Sequence, residues 1–508
     1  MISAYFSIIS AFMDYKALGK SIENFFKEIS DTLEGVLFYK IPIWGEGCQN
    51  FTDIFKESGC ESVQQIPLVV LWLIVGGIFF TFRLNFVNLR MFRHGIDVVS
   101  GKYSKDSDPG QISHFQALSA AVSATVGLGN IAGVAFAVAI GGPGAVIWMM
   151  IAGFMGMSLK FAEVTLGQKY RTIDEDGKVQ GGAFNYLERG LKELNLRRLG
   201  KFLAIIFAVA CLGGAFGAGN LFQSNQSVKM LSSTFGASEQ IKFIVSMMLA
   251  VCIGIVLFGG IRRIANVASK IVPFMAIIYI TAAIVVLVSN YALIPDAVIA
   301  MFKGAFTDDA FKGGLIGAII AGFQRAAFSN EAGLGSAPIA HSAAKTTEPV
   351  REGCVALLEP FIDTIVICFM TGLIITVTGV YANPGENIDG VLLTSMAFAT
   401  VIDWFPYVLT LCIVLFAFST MITWSYYGEI AWQYLFGKKL ISLYHLIFVA
   451  IVFAGGVVKD AGLILGLSDM LLFTMAIPNI IGLYLLSNKI SADLKSYQHK
   501  LASGKFEK

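Results

Sequence analysis

Charged side chains are scarce in this chain. Asp, Glu, Lys and Arg make up 14% of its 508 residues, whereas soluble proteins carry about 25%. The hydrophobic residues, 56% of the total, are collected in long blocks, so the chain is predicted to be a polytopic membrane protein. No basic run with interleaved aromatic residues occurs, and such a run is what nucleic-acid binding requires.

The motifs of metal sites and of common enzymes are also missing. There is no CxxC pair or His/Cys spacing typical of zinc, and no HExxH, GxSxG or paired-aspartate motif. We therefore expect no enzyme activity and no cofactor. Five of the seven cysteines lie in apolar blocks and are interpreted as small buried hydrophobic residues. Cys48 and Cys60 lie in a polar loop, where a disulfide would require that the loop faces outside the cytoplasm.

Apolar segments of membrane-spanning length recur throughout the chain. We count eleven, at residues 66–82, 114–139, 144–168, 201–228, 241–258, 267–289, 313–342, 354–380, 405–434, 440–458 and 463–487. An amphipathic stretch at about residues 15–40 precedes them and is predicted to lie on the membrane surface. Its apolar residues at helical spacing are Phe25, Phe26, Ile29, Leu33 and Leu37.

The distribution of basic residues predicts the orientation in the membrane. One alternate set of loops is rich in Lys and Arg, for example between residues 169 and 201, whereas residues 381–403 contain none. Because basic loops stay in the cytoplasm, we expect the N-terminus outside and the C-terminus inside. The expected location of this multi-pass protein is the plasma membrane, which in a bacterium is the inner membrane.

Two of the predicted spans are interrupted by glycine-containing stretches. "TVGLGN" occupies residues 125–130 in the second span, and "FQRAAFSNEAGLGS" occupies residues 323–336 in the seventh. The two spans are five apart, an odd number, so they cross the membrane in opposite directions. Two inverted halves of five helices, each opening with a broken helix, are the plan of LeuT-type secondary transporters.

The LeuT-type plan divides the chain into two repeats and three flanking segments. Residues 114–289 form the first five-helix repeat and residues 313–487 the second. Residues 66–83 are then an extra N-terminal helix. Before it lies the extracytoplasmic and amphipathic segment 1–65, and a cytoplasmic tail 488–508 follows the repeats. The predicted fold is thus all-α, with about eleven transmembrane helices.

A gap in a membrane helix leaves backbone groups unpaired at a defined depth, which is tolerated only inside protein or beside a cavity. The half-helix that ends near Val126 presents carbonyl groups, which suit a cation. The half-helix that starts near Leu128 presents N–H groups, which suit a carboxylate. Close packing of helices through small residues is the alternative explanation. The occurrence of two matched gaps favours a site for a zwitterion and a cation.

Several stretches resemble signatures of the alanine/glycine:cation symporter family. They are "ISHFQALSAAVSATVGLGNIAGVA", "FQRAAFSNEAGLGSAPIAHSAA", "LLEPFIDTIVIC" and "LFAFSTMITWSYYGE", in the family's order. "GGAFNYLERGL" is a weaker likeness, with Ala183 in place of proline. The resemblance runs from Ile66 to the C-terminus. It implies a LeuT-type fold and the uptake of alanine or glycine, coupled to sodium or, in some members, to protons.

The resemblance also implies roles for individual residues. The N–H groups of Leu128 and Gly129 would hold the substrate carboxylate, and Phe328, Asn330 and Gln223 would line the rest of the substrate. A sodium ion would be bound by oxygen atoms, which suit a small hard cation, from Ser123, Val126, Ser419 and Thr420. A second sodium site would use Asn130 and the carbonyl of Thr125.

Seven charged residues lie within or at the ends of predicted spans, where each needs a partner or water: Lys160, Glu163, Arg325, Glu331, Glu359, Asp363 and Glu429. We expect Arg325, Glu331 and Asp363 to form one network beside the seventh-span gap, for gating or as scaffold. Mutual pairing without a transport role is the alternative. Lys160 and Glu163 share a helical face and are predicted to be structural.

His114 and His341 lie near span ends. They are interpreted as ordinary interfacial histidines, with proton transfer as the alternative.

These observations favour a sodium-coupled symporter that works by alternating access. A proton-coupled symporter is the alternative, and an ion channel is a third hypothesis. A channel is disfavoured because each gap occurs once and the two form one pair, whereas a selectivity filter repeats a ring of carbonyls around an axis. The expected partners are a small amino acid, a sodium ion and the lipid bilayer, without nucleic acid. The sequence leaves alanine, glycine and serine undistinguished.

Overall fold

The structure is a computed structural model of the chain. It describes residues 15–46, 62–105, 107–175, 177–257, 260–307, 314–383 and 390–506. Cys48 and Cys60 lie outside the described residues, so their predicted pairing stays a prediction.

Helices make up most of the described chain. Those before the seventh predicted span are α1 Tyr15–Leu37, α2 Leu68–Arg83, α3 Val87–Arg90, α4 Phe92–Val99, α5 His114–Thr125, α6 Val134–Gly141, α7 Gly144–Tyr170, α8 Ala183–Glu193, α9 Arg197–Phe216, α10 Phe222–Phe235, α11 Glu239–Val256, α12 Gly260–Ser289 and α13 Ile294–Phe306.

The remaining helices are α14 Gly314–Asn330, α15 Ala337–His341, α16 Pro349–Ala356, α17 Leu358–Pro360, α18 Phe369–Thr378, α19 Val391–Ala399, α20 Phe405–Phe436, α21 Ile441–Val457, α22 Ala461–Phe473 and α23 Ala476–Ala502. Wider π-helical turns continue or join helices at Gly129–Gly133, Gly217–Leu221 and Phe361–Cys368. Short 3₁₀ turns occupy Tyr291–Leu293 and Lys438–Leu440.

The length and composition of these helices fit a membrane protein. Within the described ranges, eight helical stretches are long and apolar enough to cross a bilayer, and the bent pair α5 and α6 makes a ninth. The other two predicted spans correspond to α2, which has 16 residues, and to α14, which ends at the seventh-span gap. The prediction of eleven full spans is therefore not confirmed as a count.

The amphipathic N-terminal stretch forms a helix, as predicted, but one that packs on protein. Phe26 is buried, and Ile29 and Leu33 pack against the core beside α21 and α22. Phe25 remains 59% exposed. After α1 the chain forms an antiparallel hairpin of β1 Lys40–Glu46 and β2 Ser62–Pro67, which the sequence analysis did not anticipate.

The predicted C-terminal tail is in large part a continuation of the last span. Helix α23 runs on to Ala502 and is attached to neighbouring helices by ion pairs. Lys169 on α7 lies 2.6 Å from Asp493. Lys489 pairs with Glu193 at the end of α8, and this hydrogen-bonded ammonium lowers the pKa of the Glu193 carboxyl. A second small hairpin, β3 Thr172–Ile173 with β4 Val179–Gln180, follows α7.

The two broken helices lie side by side in the interior. Helix α14 contacts α7 and the turn Gly129–Gly133, and α20 contacts α5, α9 and α10. Most residues of α5, and all of the turn Gly129–Gly133, are buried. This arrangement places both gaps in the core, surrounded by helices that supply polar side chains.

Candidate functional site

The first gap lies where the sequence predicts it. Helix α5 opens with a capping box, in which Ser113 Oγ accepts from Gln116 N–H and Gln116 Oε1 accepts from Ser113 N–H. It ends at Thr125, since Val126 with ψ 92° leaves the helical conformation. The chain resumes in the π-helical turn Gly129–Gly133, and the two helix axes differ by 51°. The interruption in the second span is therefore confirmed.

The second gap separates α14 from α15. Helix α14 ends at Asn330, whose Oδ1 accepts from Ala332 N–H at 2.9 Å and so turns the chain that follows away from the helix. Glu331 has φ +56° and Gly333 φ +86°, which are left-handed conformations that stop a helix. Helix α15 starts only at Ala337, so the interruption in the seventh span is confirmed as well.

Three of the four residues predicted to bind the cation meet at the carbonyl end of α5. Thr420 Oγ1 donates to the Ser123 carbonyl at 2.9 Å, and Ser123 Oγ donates to the Ser419 carbonyl at 3.2 Å. The Ser419 hydroxyl donates to Phe416 of its own helix at 2.9 Å. Val126 is the first residue beyond α5. The sequence analysis missed Thr423, whose hydroxyl contacts both Ser123 Oγ and the Ser419 carbonyl.

The amide end of the gap faces Gln223, as predicted. Leu128 N–H donates to Gln223 Oε1 at 3.3 Å, and Gln223 Nε2 donates to the Ala218 carbonyl at 3.0 Å. Ala218 belongs to the π-helical turn Gly217–Leu221, so a local widening of the fourth span orients this glutamine. Leu128 is fully buried. A carboxylate oxygen placed here would compete with Gln223 for the Leu128 N–H group.

Phe328 and Asn330 lie in the last turn of α14 and have different neighbours. The Phe328 ring lies edge-on to Phe222, the residue before Gln223, with ring centroids 5.1 Å apart. Asn330 donates to Thr364 Oγ1 at 2.9 Å, and its Oδ1 accepts from Ala332 N–H in the second gap. Phe328 therefore packs on α10, whereas the hydrogen bonds of Asn330 go to the second gap and to Thr364.

Asp363 joins the two gaps. Its Oδ1 accepts from Asn130 Nδ2 at 2.6 Å and from Ser329 Oγ at 3.1 Å, and its Oδ2 accepts from Thr364 Oγ1 at 2.8 Å. Asn130 Oδ1 in turn accepts from Gly127 N–H at 2.8 Å. The side chain of Asp363 is fully buried. The Thr125 hydroxyl bonds back to its own helix, to Ala121 at 3.3 Å.

The predicted single network of Arg325, Glu331 and Asp363 is wrong, because the three residues lie in three separate clusters. Arg325 pairs with Asp469 on α22. Glu331 accepts from Ser336 and, at 3.0 Å, from Trp424 Nε1. Asp363 binds the gap residues described above. The partners Asp469 and Trp424 come from other helices, and the sequence contains no signal of helix-to-helix distance that would identify them.

His114 begins α5 and His341 ends α15, near span ends as predicted, but neither is a surface residue. Both side chains are buried and share the Glu352 carboxylate, which His341 Nδ1 contacts at 2.6 Å. Beside them, Lys160 Nζ lies 2.8 Å from Glu359 Oε1, and His341 Nε2 lies 3.7 Å from the other oxygen of Glu359. Five ionisable side chains, one each from α5, α7, α15, α16 and α17, thus form one buried chain of contacts.

Glu163 forms hydrogen bonds that stabilise the second gap, and it does not form an ion pair with Lys160. Glu163 Oε1 accepts from Gly335 N–H at 3.1 Å and from Asn479 Nδ2 at 2.7 Å. The same Asn479 group donates to the Gly333 carbonyl at 2.8 Å. This fits the predicted structural role, through partners on α23 and in the gap. Glu429, the remaining charged residue, contacts His445 at 3.2 Å.

The close approach at Gly127 yields a direct prediction. A Cβ atom there would lie 2.6 Å from Thr420 Oγ1, too close for any real contact, and the short β-branched side chain of Thr420 has few other rotamers to adopt. We expect Gly127→Ala to reduce substrate uptake by about 100-fold or more, because the carbonyl end of α5 must shift away from α20. The measurement is initial uptake rate per folded transporter in vesicles.

Gly133→Ala is the matched control for Gly127→Ala. It lies in the same gap region, is buried, and a Cβ added there meets no atom within 4 Å. Uptake by this variant should stay near that of the parent protein. Equal loss in both variants would show that any side chain in this segment is harmful, and the steric explanation at Thr420 would fail.

Two gapped helices that meet at mid-span, one end lined by carbonyls and the other by amides, define a LeuT-type secondary transporter. The protein is accordingly a transporter and not an enzyme. The model of the sodium:alanine symporter family matches residues 49–508. The chain belongs to this family, and it is a multi-pass membrane protein that carries amino acids by symport.

Comparison with individual proteins agrees with this assignment. The chain is 42% identical over 433 residues to the sodium/alanine symporter AgcS of Methanococcus maripaludis, covering 85% of this chain and 94% of that protein. It is 36% identical to GlnT of Bacillus subtilis, named a probable sodium/glutamine symporter, covering 86% and 89%. The crystal structure of MhsT in complex with L-phenylalanine matches with a TM-score of 0.53 at 14% identity, covering 75% of this chain and 98% of that one. The last likeness shows the LeuT-type fold alone.

Proposed function

We propose that the protein is a sodium-coupled symporter of alanine or glycine that works by alternating access. The observation that carries the proposal is the contact between Thr420 Oγ1 and the Ser123 carbonyl, 2.9 Å apart at the open end of α5. It places hydroxyl and carbonyl oxygens together where the helix dipole is negative. Oxygen ligands of this kind suit a small hard cation.

The proposed sodium ligands are the carbonyls of Ser123 and Val126 and the hydroxyls of Ser419 and Thr420. To bind an ion, the Thr420 hydroxyl must stop donating to Ser123 and turn its lone pairs inward, and the Ser419 hydroxyl must leave Phe416. Both rotations need little space, since a hydroxyl hydrogen turns freely. Thr423 keeps Ser123 and Ser419 in place through its two hydrogen bonds.

The proposed substrate site begins at the amide end of the same gap. The N–H groups of Leu128 and Gly129 would bind the carboxylate, with the Gln223 amide moving aside. Gly129 lies against the backbone of Ser329, where an added Cβ atom would be 3.1 Å from Ser329 Cα, and the neighbouring Phe328 ring packs on Phe222, so we infer that the room for a substrate side chain is small. This favours alanine or glycine over larger amino acids.

A second cation site, or a proton site, is proposed at Asp363. Its carboxylate already contacts Asn130 and Ser329, one from each gap, and the Thr125 carbonyl lies at the end of α5. A sodium ion there would be bound by Asp363, Asn130 and Thr125. A proton on Asp363 would neutralise the same carboxylate. The burial of this carboxylate beside both broken helices is the specific observation that favours proton coupling as the second candidate function.

Coupling of ion and substrate follows from their shared contacts. Both would bind the gap between α5 and the turn Gly129–Gly133, and each also contacts another helix, α20 for the ion and α10 for the substrate. The two ligands would therefore favour the same closed arrangement, and each would raise the affinity for the other. The alternating opening would occur between the broken helices and α10 and α20, with the end of α23 on the cytoplasmic side.

Uptake by purified protein in liposomes tests the proposal. Labelled alanine is supplied with an inward sodium gradient, with choline replacing sodium, and with an inward proton gradient in choline. We expect concentrative uptake only with sodium. Equal uptake in sodium and choline would contradict sodium coupling, and uptake driven by the proton gradient alone would establish the second candidate. A conductance far exceeding alanine flux would instead indicate a channel.

A further inference from the structure

The buried chain of ionisable residues has no role in the transport steps proposed above. His341 lies at its centre, as the last residue of α15. Its Nδ1 atom lies 2.6 Å from Glu352 Oε1, and its Nε2 atom lies 3.7 Å from Glu359 Oε2. One imidazole therefore faces a carboxyl oxygen with each of its two nitrogens, and all three side chains are fully buried.

The hydrogen-bonding capacity of these groups leaves one position unfilled. An ionised carboxylate only accepts hydrogen bonds, and a neutral imidazole donates through only one of its nitrogens. Glu352 contacts His114 Nδ1 as well as His341 Nδ1, so an ionised Glu352 uses the one N–H group of each neutral ring. The lone pair of His341 Nε2 would then face the lone pairs of Glu359 Oε2, and two buried acceptors in contact are unfavourable.

The two atoms of this contact have no other partner. Within the described ranges, neither His341 Nε2 nor Glu359 Oε2 makes a hydrogen bond, and both are shielded from solvent. The other oxygen of Glu359 accepts from Lys160 Nζ at 2.8 Å. His114 Nε2 also lacks a partner in this part of the chain, but the ion pairs of the described residues place no carboxylate against it. One added proton between His341 and Glu359 would turn the contact of two acceptors into a charge-assisted hydrogen bond.

The ionisable groups around the pair also favour an added positive charge. Those that face His341 or Glu359 come from α7, the second gap, α16, the turn Phe361–Cys368 and α20: Lys160, Glu163, Glu331, Glu352, Asp363 and Tyr427. Four of these six are carboxyl groups. Arg171 also lies near Glu352, but its N–H groups donate to the backbone carbonyls of Ser342 and Ala344 at 2.6 Å. A protonated imidazole would therefore offset negative charge in the interior.

We propose that His341 and Glu359 bind one exchangeable proton between them, so that His341 is an imidazolium at neutral pH. The proton joins α15, the second half of the gapped seventh span, to α17 in the next spanning helix. Lys160 extends this connection to α7. Release of the proton at high pH restores the contact of two lone pairs, and α15 is then held less firmly. The site is separate from Asp363 and does not depend on which amino acid or ion is transported.

Unfolding at two pH values tests for the bound proton. An unfolded histidine is mostly neutral above pH 7, so a proton that the folded protein retains is released on unfolding. One such proton raises the unfolding equilibrium constant about tenfold for each pH unit, because stability is lost as the pH rises. The comparison uses denaturant titrations of the full-length protein in detergent.

Glu359→Gln is the decisive variant in this comparison. Its amide can donate an N–H group to His341 Nε2 and can still accept from Lys160 through its oxygen, so it needs no bound proton. We expect the unfolding constant of the parent protein, divided by that of the variant, to rise about tenfold between pH 7 and pH 8. An unchanged ratio would overturn the proposal.

His94→Gln is the matched control for a buried histidine. His94 Nε2 lies 2.8 Å from the Tyr497 hydroxyl, which is a neutral partner. Burial lowers the pKa of His94 to about 4, so this side chain is neutral in the folded and the unfolded protein above pH 7. The ratio of unfolding constants for parent and control should therefore be the same at pH 7 and pH 8. A tenfold change in the control as well would show that the pH effect does not come from His341, and the proposal would fail.

Nitrogen-15 spectra of labelled histidines locate the proton. The chain contains five histidines, and the signals that disappear in His341→Gln identify His341. At pH 7.5, where an unperturbed imidazole is mostly neutral, we expect both nitrogens of His341 to be protonated in the parent protein and one in Glu359→Gln. A neutral His341 in the folded parent protein would overturn the proposal, whatever the stability of the variants.

Discussion

Uptake by the double variant Ser419→Ala, Thr420→Ala is expected to require far higher sodium concentrations than uptake by the parent protein. The two substitutions remove two of the four proposed ligand groups, and Thr420 is the one that contacts the Ser123 carbonyl at 2.9 Å. We expect the apparent affinity for sodium to fall on the order of 100-fold, since loss of even a supporting contact costs a metal site about 10- to 100-fold. The measurement is alanine uptake as a function of sodium concentration, with choline keeping the ionic strength constant.

Thr410→Ala is the matched control for this variant. Thr410 is a buried threonine on the same helix, and its hydroxyl binds Pro406 at 2.7 Å and Thr234 at 2.7 Å, away from the gap. Its sodium dependence should equal that of the parent protein. If the double variant keeps normal sodium dependence while the protein remains active, the cation binds elsewhere, and Asp363 becomes the first position to examine.

The first gap could be predicted from the sequence to within about one residue. Helix α5 ends at Thr125, beside the predicted Val126, and the turn that follows begins at Gly129, beside the predicted Leu128. This accuracy has a physical basis, because a helix in an apolar block continues unless local residues stop it. Glycine and asparagine do so through their own backbone preferences. The matched stretch in the seventh span is predictable for the same reason.

The partners of buried charges could not be predicted. Periodicity shows that Lys160 and Glu163 lie on one face of α7, but the structure gives them different partners, Glu359 and Asn479. Which residue faces them depends on how distant helices pack, and this information is not local. The same limit explains His341, which is near a span end in sequence but buried by the helices around it.

Irregular segments were the other features that sequence reasoning missed. The π-helical turns at Gly217–Leu221 and Phe361–Cys368 orient Gln223 and Asp363, yet both stretches lie inside segments that were predicted as regular spans. The two strands of the hairpin β1–β2 are short, and polar and apolar residues do not alternate regularly along them, so no strand was predicted there. Helix α23 continues past residue 487 because Lys489 and Asp493 find partners on α8 and α7.

Removal of the charge at Lys160 is expected to have the largest effect on stability. Lys160 is fully buried and lies 2.8 Å from Glu359. Lys160→Met would leave the Glu359 carboxylate in the interior with only His341 nearby, at 3.7 Å. Breaking one side of a buried ion pair costs about 3–5 kcal/mol. The unfolding free energy of the purified protein in detergent, measured by denaturant titration, should fall by that amount.

Two further variants separate the loss of an ion pair from the loss of a lysine. Lys160→Met combined with Glu359→Gln removes both charges, so it should recover most of the stability, because no uncompensated charge remains buried. Lys169→Met, on the same helix, breaks a partly exposed pair with Asp493 and should cost only about 0–1 kcal/mol. If the double variant were no more stable than Lys160→Met, the pair would not be the reason that Lys160 is needed. The packing of the Lys160 side chain against the helices around α7 would then explain the loss, and its charge would not be needed by the buried residues His114, Glu352, His341 and Glu359.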